Sequence, residues 1–492
     1  MHGTGSDSAQ AARSGADRRG RRPNPAAAAA AAALVIGVAA CSGHASPAAP
    51  SSAEHPASAS GAGHSPSAVP ASLSWTAARA PLPADANGVS GQYTQLVDIS
   101  CPDVGNCVAV GGDRASGPGG DVYQGLIETL SDGTWTATAV PDMSTKTGVA
   151  ALGGVSCPAL GTCVAVGLVD PAGAASTPVI ETLSGGRWHP VKPTLPDDAV
   201  TSASATLNGV SCPAPGTCVA VGWYGNKSGH HAGYVDTLSD GTWTAASAPL
   251  PKDAAPERYS ATVSSYLISV ACTGVGACVA PGQYRDGHGR TRALIDTLSG
   301  GTWTATAAPV PVDAAATGQV AGLSAIGCPA PGTCVAGGHY MVRGGQPRYL
   351  TETLSDGGWT ASALPLPADA AADQEWSQYT STTIDGLACA TAGSCVATAG
   401  YMTKANELVP VIETLSGGSW TAASAPLPAD AAPGTGQANA DYLELVTCPA
   451  AGHCLAVGSY AAADGTFEGL IETAAPAPGL AHFEPVLRAA RS

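Results

Sequence analysis

Short runs of alternating apolar and polar residues, separated by glycine-containing turns, follow one another along most of this chain. The first set predicts strands at 96–101, 107–111, 125–130 and 134–138. Alternation with a period of two indicates half-buried strands rather than helices. Asp132-Gly133 lies between the last two strands and predicts a two-residue hairpin, because a type I′ turn needs positive φ at both central positions. The equivalent dipeptides are Gly185-Gly186, Asp240-Gly241, Gly300-Gly301, Asp356-Gly357 and Gly417-Gly418.

This set of strands is repeated, and two markers follow the repeat. A Cys-x5-Cys motif begins at positions spaced 55 to 61 residues apart, and its seven copies are Cys101 with Cys107, Cys157 with Cys163, Cys212 with Cys218, Cys272 with Cys278, Cys328 with Cys334, Cys389 with Cys395 and Cys448 with Cys454. A tryptophan marks the outer strand of each set, at Trp75, Trp135, Trp188, Trp243, Trp303, Trp359 and Trp420. A period of this length indicates a repeat architecture rather than several unrelated domains.

The two markers are offset, and the offset predicts how the chain closes. Trp75 precedes every cysteine pair, whereas no tryptophan follows Cys454. A ring would complete the seventh set by joining the strand around Trp75 to the three strands that end near Thr473. We therefore predict an all-β, seven-bladed β-propeller with four-stranded antiparallel blades and a three-plus-one closure, which leaves no open sheet edge.

The paired cysteines predict one disulfide in each blade, across the hairpin of its first two strands. Zinc sites use shorter ligand spacings and four converging ligands. Thiol oxidoreductases use Cys-x-x-Cys. Repeated local pairs are instead typical of structural disulfides in an oxidising compartment.

The N-terminal region predicts export and anchoring. Arginines precede an apolar stretch at 26–40, which is shorter than a membrane span and fits a secretory signal. The segment resembles a bacterial lipoprotein signal, whose conserved cysteine becomes lipidated, and Cys41 holds that position. An ordinary signal peptide cut nearby is the alternative. We predict a signal at 1–41, an Ala/Ser/Pro-rich disordered tether at 42–70, the propeller at 71–474 and a C-terminal tail at 475–492.

Charge limits the partners of the exported protein. Removal of residues 1–41 takes away five Arg and two Asp, and it leaves 16 basic against 35 acidic residues, a net charge of −19. Such a surface repels phosphate backbones, so nucleic acid is excluded as a partner. We expect a monomer held at the outer face of the cell membrane by its lipid, with protein or glycan as the ligand. The sequence predicts no metal, no cofactor and no catalytic residue.

The strand order gives the ring two different faces. Near-identical tight turns, between the first and second and between the third and fourth strands, lie on one face. The other face, here called the variable face, carries connections that differ in length and chemistry, and such loops are where binding usually resides. A tyrosine recurs six residues after the second cysteine, at Tyr224, Tyr284, Tyr340, Tyr401 and Tyr460. These tyrosines either stack on a ligand or pack between blades.

An acid recurs in the third strand of every blade. Its seven copies are Glu128, Glu181, Asp236, Asp296, Glu352, Glu413 and Glu472. A catalytic site needs one or two distinct acids rather than seven equivalent ones. We therefore expect these acids to serve the fold by accepting hydrogen bonds from neighbouring strands or loops.

The unit SCPxxGxCVAVGxY…LIETLSxGxWT resembles the secreted Cys-pair propeller repeats of high-GC Gram-positive bacteria, sometimes grouped with kelch or galactose-oxidase central domains. The turn 131–135 also looks like a shortened Asp-box of bacterial sialidases. The resemblance implies a propeller but no known activity.

Three functions are compatible with this sequence. The leading hypothesis is a lipid-anchored binding or scaffold module that takes protein or glycan through the variable face. A second is an extracellular polysaccharide hydrolase or lyase, which requires a pair of carboxylates with shifted pKa values near the central axis. A third is a purely structural envelope protein.

Overall fold

The computed structural model describes residues 73–84, 86, 92–117, 120–146, 148–255, 265–316, 320–371, 382–405, 407–432 and 442–476. The proposed signal with Cys41, the tether and all but the start of the C-terminal tail lie outside the described residues. Within the described ranges, no helix is long and apolar enough to cross a membrane.

The described residues form strands throughout. In chain order these are β1 Leu73–Arg79, β2 Thr94–Asp103, β3 Asn106–Gly117, β4 Gly120–Ser131, β5 Thr134–Thr145, β6 Gly148–Ala159, β7 Thr162–Pro171, β8 Thr177–Ser184, β9 Arg187–Val191, β10 Ala205–Ala214, β11 Thr217–Gly225, β12 His231–Ser239, β13 Thr242–Ser247, β14 Ser265–Leu267, β15 Ala271–Gly274, β16 Ala277–Arg285, β17 Thr291–Ser299, β18 Thr302–Ala307, β19 Ala321–Ala330, β20 Thr333–Met341, β21 Pro347–Ser355, β22 Gly358–Ala363, β23 Ile384–Thr391, β24 Ser394–Met402, β25 Leu408–Ser416, β26 Ser419–Ser424, β27 Tyr442–Ala450, β28 His453–Ala461 and β29 Phe467–Pro476.

These strands form seven antiparallel sheets, which confirms the predicted seven-bladed propeller. Six sheets take their strands in simple chain order, such as β2-β3-β4-β5, and the seventh has the order β1-β29-β28-β27. In that sheet Trp75 lies opposite Ala474 and Thr76 lies opposite Thr473. The strand from the beginning of the chain therefore completes the last blade, as the offset of the two markers predicts.

The tight turns have the predicted backbone geometry. Asp132 and Gly133 both have positive φ, at 51° and 75°. Asp240 and Asp356, the aspartates of the equivalent turns in two other blades, also have positive φ, at 50° and 51°. The Asp-Gly and Gly-Gly dipeptides therefore mark hairpin turns that most other residues would strain.

The predicted disulfides are present, one in each blade, with Cα atoms 4.0 to 4.1 Å apart. The bridges join Cys101 to Cys107, Cys157 to Cys163, Cys212 to Cys218, Cys272 to Cys278, Cys328 to Cys334, Cys389 to Cys395 and Cys448 to Cys454. In the fourth and sixth blades the two cysteines lie directly opposite each other in the antiparallel ladder, and this explains their close approach. Seven disulfides are typical of an extracellular protein.

The two cysteines of a bridge differ in burial. The second cysteine lies on the second strand of its blade and is buried in every case, with an exposure of 1 to 3%. These second cysteines are Cys107, Cys163, Cys218, Cys278, Cys334, Cys395 and Cys454. They belong to the hydrophobic core between the blades, so each bridge ties the edge of a hairpin to that core. This burial fits a structural role for the bridges rather than a redox role, since reactive cysteines are accessible.

The hydrophobic core lies between neighbouring blades. For example, Val219 and Val221 of the third blade pack with Leu267 and Cys278 of the fourth. Hydrogen bonds reinforce this packing at the serine that precedes several first cysteines. Ser211 accepts a bond from the backbone amide of Cys272 in the next blade at 3.0 Å, and Ser100 and Ser156 do the same for their next blades. The repeated Ser-Cys dipeptide therefore joins blades as well as stapling hairpins.

The innermost strand of the blade carries a β-bulge, and the bulge brings it very close to the second strand. In the first blade the register shifts between Leu96 and Asp98, so that Val97 has no partner in β3. A Cβ added to Gly111 would lie 1.9 Å from the carbonyl oxygen of Gln95, and the equivalent glycines of five other blades meet the same obstacle. The glycine that recurs four residues after the second cysteine in six blades is therefore required by this close approach.

Two blades depart from this pattern for local reasons. In the sixth blade Ala399 replaces the glycine, and β23 begins only at Ile384, so Ile384 is the single residue of β23 that pairs with β24 before the bulge. In the fourth blade the innermost strand is interrupted between β14 and β15. The backbone carbonyl of Pro281 accepts a hydrogen bond from the amide of Ile268 at 3.1 Å. Proline has no N–H group, so it cannot donate a hydrogen bond to the innermost strand in exchange.

Candidate functional site

The bulged residues of the innermost strands form a circle around the axis of the propeller, here called the axial ring. Because both faces of a blade pack against neighbouring blades, a residue displaced from the ladder of the innermost strand is directed at the axis. It is partly exposed in every blade, although most of its neighbours in the strand are buried. The axial ring consists of Val97, Gly153, Asn208, Ile268, Ser324, Asp385 and Glu444.

The axial ring differs from blade to blade, unlike the repeated positions that build the fold. Two of its polar members bond to the next blade: Asn208 donates to the carbonyl of Leu267 at 2.8 Å, and Ser324 donates to that of Ile384 at 2.5 Å. The two acids, Asp385 and Glu444, belong to the adjacent sixth and seventh blades. We call them the acid pair.

Both acids of the acid pair have raised pKa values. Burial raises the pKa of Asp385 well above its usual range, and the nearby carboxylate of Glu444 raises it further. Burial also raises the pKa of Glu444 to about 7, against a hydrogen bond from Gln95 that lowers it. Two carboxyl groups in such surroundings favour holding a proton near neutral pH, because ionising both brings like charges together.

A chain of hydrogen bonds extends the acid pair into the first blade. Gln95 donates to Glu444 Oε1 at 2.9 Å, and Tyr93 donates its hydroxyl to Gln95 Oε1 at 2.8 Å. Tyr93 also shares a side-chain hydrogen bond with Tyr442, and burial raises the pKa of both tyrosines. Gln95 lies at the beginning of β2, and Tyr93 immediately precedes that strand, next to the connections of the variable face. The cluster of Asp385, Glu444, Gln95, Tyr93 and Tyr442, here called the axial cluster, therefore lies toward that face.

The five recurrent tyrosines are placed differently. Each is 0 to 1% exposed, so its ring packs in the core. Each hydroxyl donates to an aspartate in the connection that leads from the preceding blade, and we call these pairs Tyr–Asp clasps. The clasps are Tyr224 to Asp198 at 2.6 Å, Tyr284 to Asp253 at 2.8 Å, Tyr340 to Asp313 at 3.0 Å, Tyr401 to Asp369 at 2.9 Å and Tyr460 to Asp430 at 3.0 Å. This geometry fits the packing alternative, and ligand contact by these tyrosines stays a prediction.

The acids of the third strand are buried, as expected of residues that serve the fold. Asp236 has the expected partners, since Thr194 and Tyr234 bond to its carboxylate. For five others, both carboxyl oxygens lack a hydrogen-bond partner among the described residues, contrary to the expected bonds from neighbouring strands or loops: Glu128, Asp296, Glu352, Glu413 and Glu472. Burial raises the pKa of each of these five to about 8. Burial therefore favours the neutral form of these acids inside the blades.

The arginines of the fourth-blade loop are paired within the protein. Arg290 binds Asp286 at 2.7 Å, and Arg292 lies 3.8 Å from the same carboxylate. In the third blade, Trp223 stacks on His231 with ring centres 4.1 Å apart. Within the described ranges no group of three or more His, Cys, Asp or Glu is arranged to hold a metal ion.

Sequence reasoning missed the axial cluster. The sequence did contain a signal for the two acids. Each innermost strand has a leucine or isoleucine five residues before the first cysteine, and the residue that follows this leucine or isoleucine can be compared across the blades. Only Asp385 and Glu444 are acids at that position. The bulge that turns this position toward the axis is a tertiary feature and was not predicted.

Some solved structures have a partial similarity to this chain at low sequence identity. No protein-family model matches the chain, and no curated protein matches it. A protein of unknown function from Dyadobacter fermentans is similar in structure with a TM-score of 0.39 and 11% identity, over 79% of this chain and 100% of that one. Trypanosoma rangeli sialidase in complex with sialic acid is similar with a TM-score of 0.38 and 11% sequence identity, over 82% of this chain and 59% of the sialidase chain. The fucose-specific lectin of Aleuria aurantia is similar with a TM-score of 0.36 and 12% sequence identity, over 69% of this chain and 97% of the lectin.

Proposed function

We propose that this protein is an extracellular, lipid-anchored propeller that binds glycan at the axial cluster, where the axis opens toward the variable face. The observation that carries the proposal is the chemical difference among the seven axial positions. Positions that build the blade are repeated, whereas the axial ring changes in every blade and concentrates its acids in two adjacent ones. Hydroxyl-rich ligands match a cluster of carboxylate, amide and phenol groups with partly exposed acids.

A glycan array tests this proposal. The mature protein is compared with the double variant Asp385→Asn/Glu444→Gln, whose neutral side chains keep the original shapes. Asp132→Asn is the matched control, because it removes an exposed acid from a tight turn on the opposite face, at a positive φ that asparagine tolerates. We expect the double variant to lose its array signal while the control retains it. Equal signals from both variants, or no glycan bound by the mature protein, would contradict the proposal.

Anchoring through Cys41 is tested separately. The full chain expressed in a Gram-positive host should incorporate labelled palmitate and sediment with membranes, and Cys41→Ser should do neither. A wild-type chain released into the medium without label would leave an ordinary signal peptide as the explanation of the N-terminal segment.

A polysaccharide hydrolase is the second candidate, and the acid pair is the observation that favours it. Glycoside hydrolysis uses two carboxyl groups, one protonated and one ionised. The raised pKa of Glu444, about 7, suits a proton donor at neutral pH. Incubation with dye-labelled extracellular polysaccharides should then release soluble fragments, and Asp385→Asn or Glu444→Gln alone should lower the rate at least about a hundredfold. Binding on the array without fragment release favours the binding module.

A further inference from the structure

Arginines of two neighbouring blades face one another at the variable face, across the seam between the fourth and fifth blades. Gln283 of β16 reaches the fifth blade, because a Cβ added to Gly322 would lie 2.6 Å from Gln283 Oε1. Alternate residues of a strand point to the same side. Arg285, two residues further along β16, therefore also faces the fifth blade.

The fifth blade presents two arginines to the same seam. Arg348 lies opposite Tyr340 in the antiparallel ladder, so both side chains are on one side of the sheet. Tyr340 belongs to the same core cluster as Val279 of the fourth blade, so this side faces the fourth blade. Arg343, at the tip of the hairpin, donates to the carbonyl of Val312 at 3.3 Å, in the connection that comes from the fourth blade. We call Arg285, Arg343 and Arg348 the arginine seam.

The equivalent positions of the other seams do not repeat this charge. They hold Asp170, Lys227 and Ala232 between the second and third blades, Gly225, Gly287 and Arg292 between the third and fourth, Met341, Lys404 and Val409 between the fifth and sixth, and Met402, Ala463 and Glu468 between the sixth and seventh. Each of these seams, like the arginine seam, also contains one clasp aspartate. Of these five seams, the arginine seam alone has a cation at all three positions, and with Asp313 these groups sum to a charge of +2.

The arginine seam has no acid partner among the ion pairs of the described residues. Those pairs involve Arg79, Arg114, Arg290 and Arg292. Arg285 donates to the carbonyl of Gly289 at 3.1 Å, and Arg348 donates to that of Pro347 at 3.0 Å. Each such bond uses one of the five N–H donors of a guanidinium, so donors are left over for a ligand.

Holding the connection in place does not require arginine. In the third and sixth blades, lysines at the repeat position of Arg343 form the same bond. Lys227 donates to the carbonyl of Asp197 and Lys404 to that of Ala368, each at 2.8 Å. Arginine adds a planar fork that binds a carboxylate through two parallel hydrogen bonds, which lysine cannot do.

We propose that the arginine seam binds the carboxylates of an acidic glycan, such as an oligomer of uronic acids. This inference rests on the proposed glycan-binding function and specifies its ligand class. The overall charge of −19 does not prevent such binding. At physiological ionic strength, interactions between exposed charges are screened beyond about 8 Å, so the ligand responds mainly to the cations of the seam.

Isothermal titration calorimetry with two matched oligosaccharides tests the inference. The probes are tetragalacturonate and its fully methyl-esterified form, which share a backbone and differ in the charge of their carboxyl groups. We expect tetragalacturonate to bind the mature protein at least about tenfold more tightly, because its carboxylates accept charge-assisted hydrogen bonds. Arg343→Gln/Arg348→Gln should lose that preference. Arg187→Gln/Lys192→Gln removes the same charge from exposed positions of the second blade and should keep it.

A second variant keeps the charge and changes only its geometry. Arg343→Lys/Arg348→Lys retains two cations, and at position 343 it introduces the residue that holds the equivalent connection in two other blades. Its melting temperature should therefore be unchanged, whereas tetragalacturonate binding should weaken severalfold. Unchanged binding in this variant would overturn the assignment of two-bond contacts to these arginines.

The outcomes separate the inference from the function on which it rests. Equal affinity for the two probes overturns the preference for an acidic glycan and leaves glycan binding intact. A peptide of four glutamates that binds as tightly as tetragalacturonate overturns the assignment to a glycan in favour of an acidic protein segment. Failure of every glycan on the array to bind removes the proposed function itself. A preference that disappears in the glutamine variant and persists in its control supports both.

Discussion

Gln95 donates its side-chain amide to a carboxylate oxygen of Glu444 at 2.9 Å, although 349 positions separate the two residues in the chain. The bond joins the first and the seventh blade, so it exists only because the ring is closed. It also lowers the pKa of Glu444 against the effect of burial. Ring closure and the electrostatics of the candidate site are therefore linked.

Replacing Gln95 should shift the titration of its partner. In Gln95→Leu the carboxylate of Glu444 loses a donor that stabilises its charged form, so its pKa should rise above about 7. The measurement is a ¹³C NMR titration of the glutamate carboxyl carbons. Asn106→Ala, which removes a side-chain bond to Asp103 on the tight-turn face, is the control and should leave Glu444 unchanged. A fall in the pKa of Glu444 in Gln95→Leu would contradict the assigned bond.

Removing β1 should open the propeller. A chain that begins at residue 80 lacks the strand that pairs with β29 from Leu73 to Arg79. It leaves β29 as an exposed edge, so we expect a lower melting temperature and concentration-dependent association. Differential scanning calorimetry and sedimentation velocity compare it with a chain that begins at residue 71. Identical melting and a monomeric state for both chains would argue against closure by this strand.

The buried acids of the third strands should make the propeller more stable in acid than at mildly alkaline pH. Glu413 has a pKa of about 8 in the folded protein against 4.5 for an ordinary glutamate. Its contribution is therefore fully present below about pH 4.5 and is lost as the pH rises through about 8. Denaturant unfolding between pH 4 and 9 measures the trend.

A neutral replacement identifies the group responsible. Glu413→Gln should raise the free energy of unfolding at pH 8.5 by at least about 1 kcal/mol relative to wild type, because the ionisation that opposes folding is removed. At pH 4.5 the difference should be small or reversed. The exposed turn variant Asp356→Asn, at a φ of 51°, serves as the control and should follow the wild-type pH dependence.

Removing the hydroxyl of a Tyr–Asp clasp distinguishes a structural role of the recurrent tyrosines from a ligand-binding role. Tyr284→Phe removes the 2.8 Å bond to Asp253 and should lower the free energy of unfolding by about 1 kcal/mol. Glycan binding should be unaffected, because the ring is buried. Loss of binding without loss of stability would instead restore the hypothesis that this tyrosine contacts a ligand.

Each disulfide should make a modest, independent contribution. Replacement of both Cys389 and Cys395 by serine should lower the free energy of unfolding by about 2 kcal/mol, the chain-entropy value for so short a loop. Chemical denaturation of the oxidised variant measures the effect, and the same variant in reducing buffer shows the contribution of the remaining six bridges. A loss much larger than this would indicate that the bridge also holds the blade geometry.

The axial cluster shows the limit of inference from one sequence. Cysteine spacing, turn dipeptides and the offset tryptophans predicted the blades, the bridges and the closing strand, and each is confirmed by the structure. The recurrent tyrosines were recognised, but their aspartate partners lie in another segment of the chain, about 30 residues away, as with Tyr460 and Asp430. A pattern that is local in sequence does not reveal such a partner.

The sequence by itself determined everything that depends on neighbouring residues: strand alternation, positive-φ turns, hairpin disulfides and the number of blades. Only the tertiary structure decided which side chains face the axis. The bulge in the innermost strand inserts one residue into the ladder and reverses the alternation beyond it, so a period-two reading cannot follow the strand through this point. Asp385 and Glu444 meet because consecutive blades pack around one axis and place their bulges side by side, and ring closure then brings Gln95 of the first blade to Glu444.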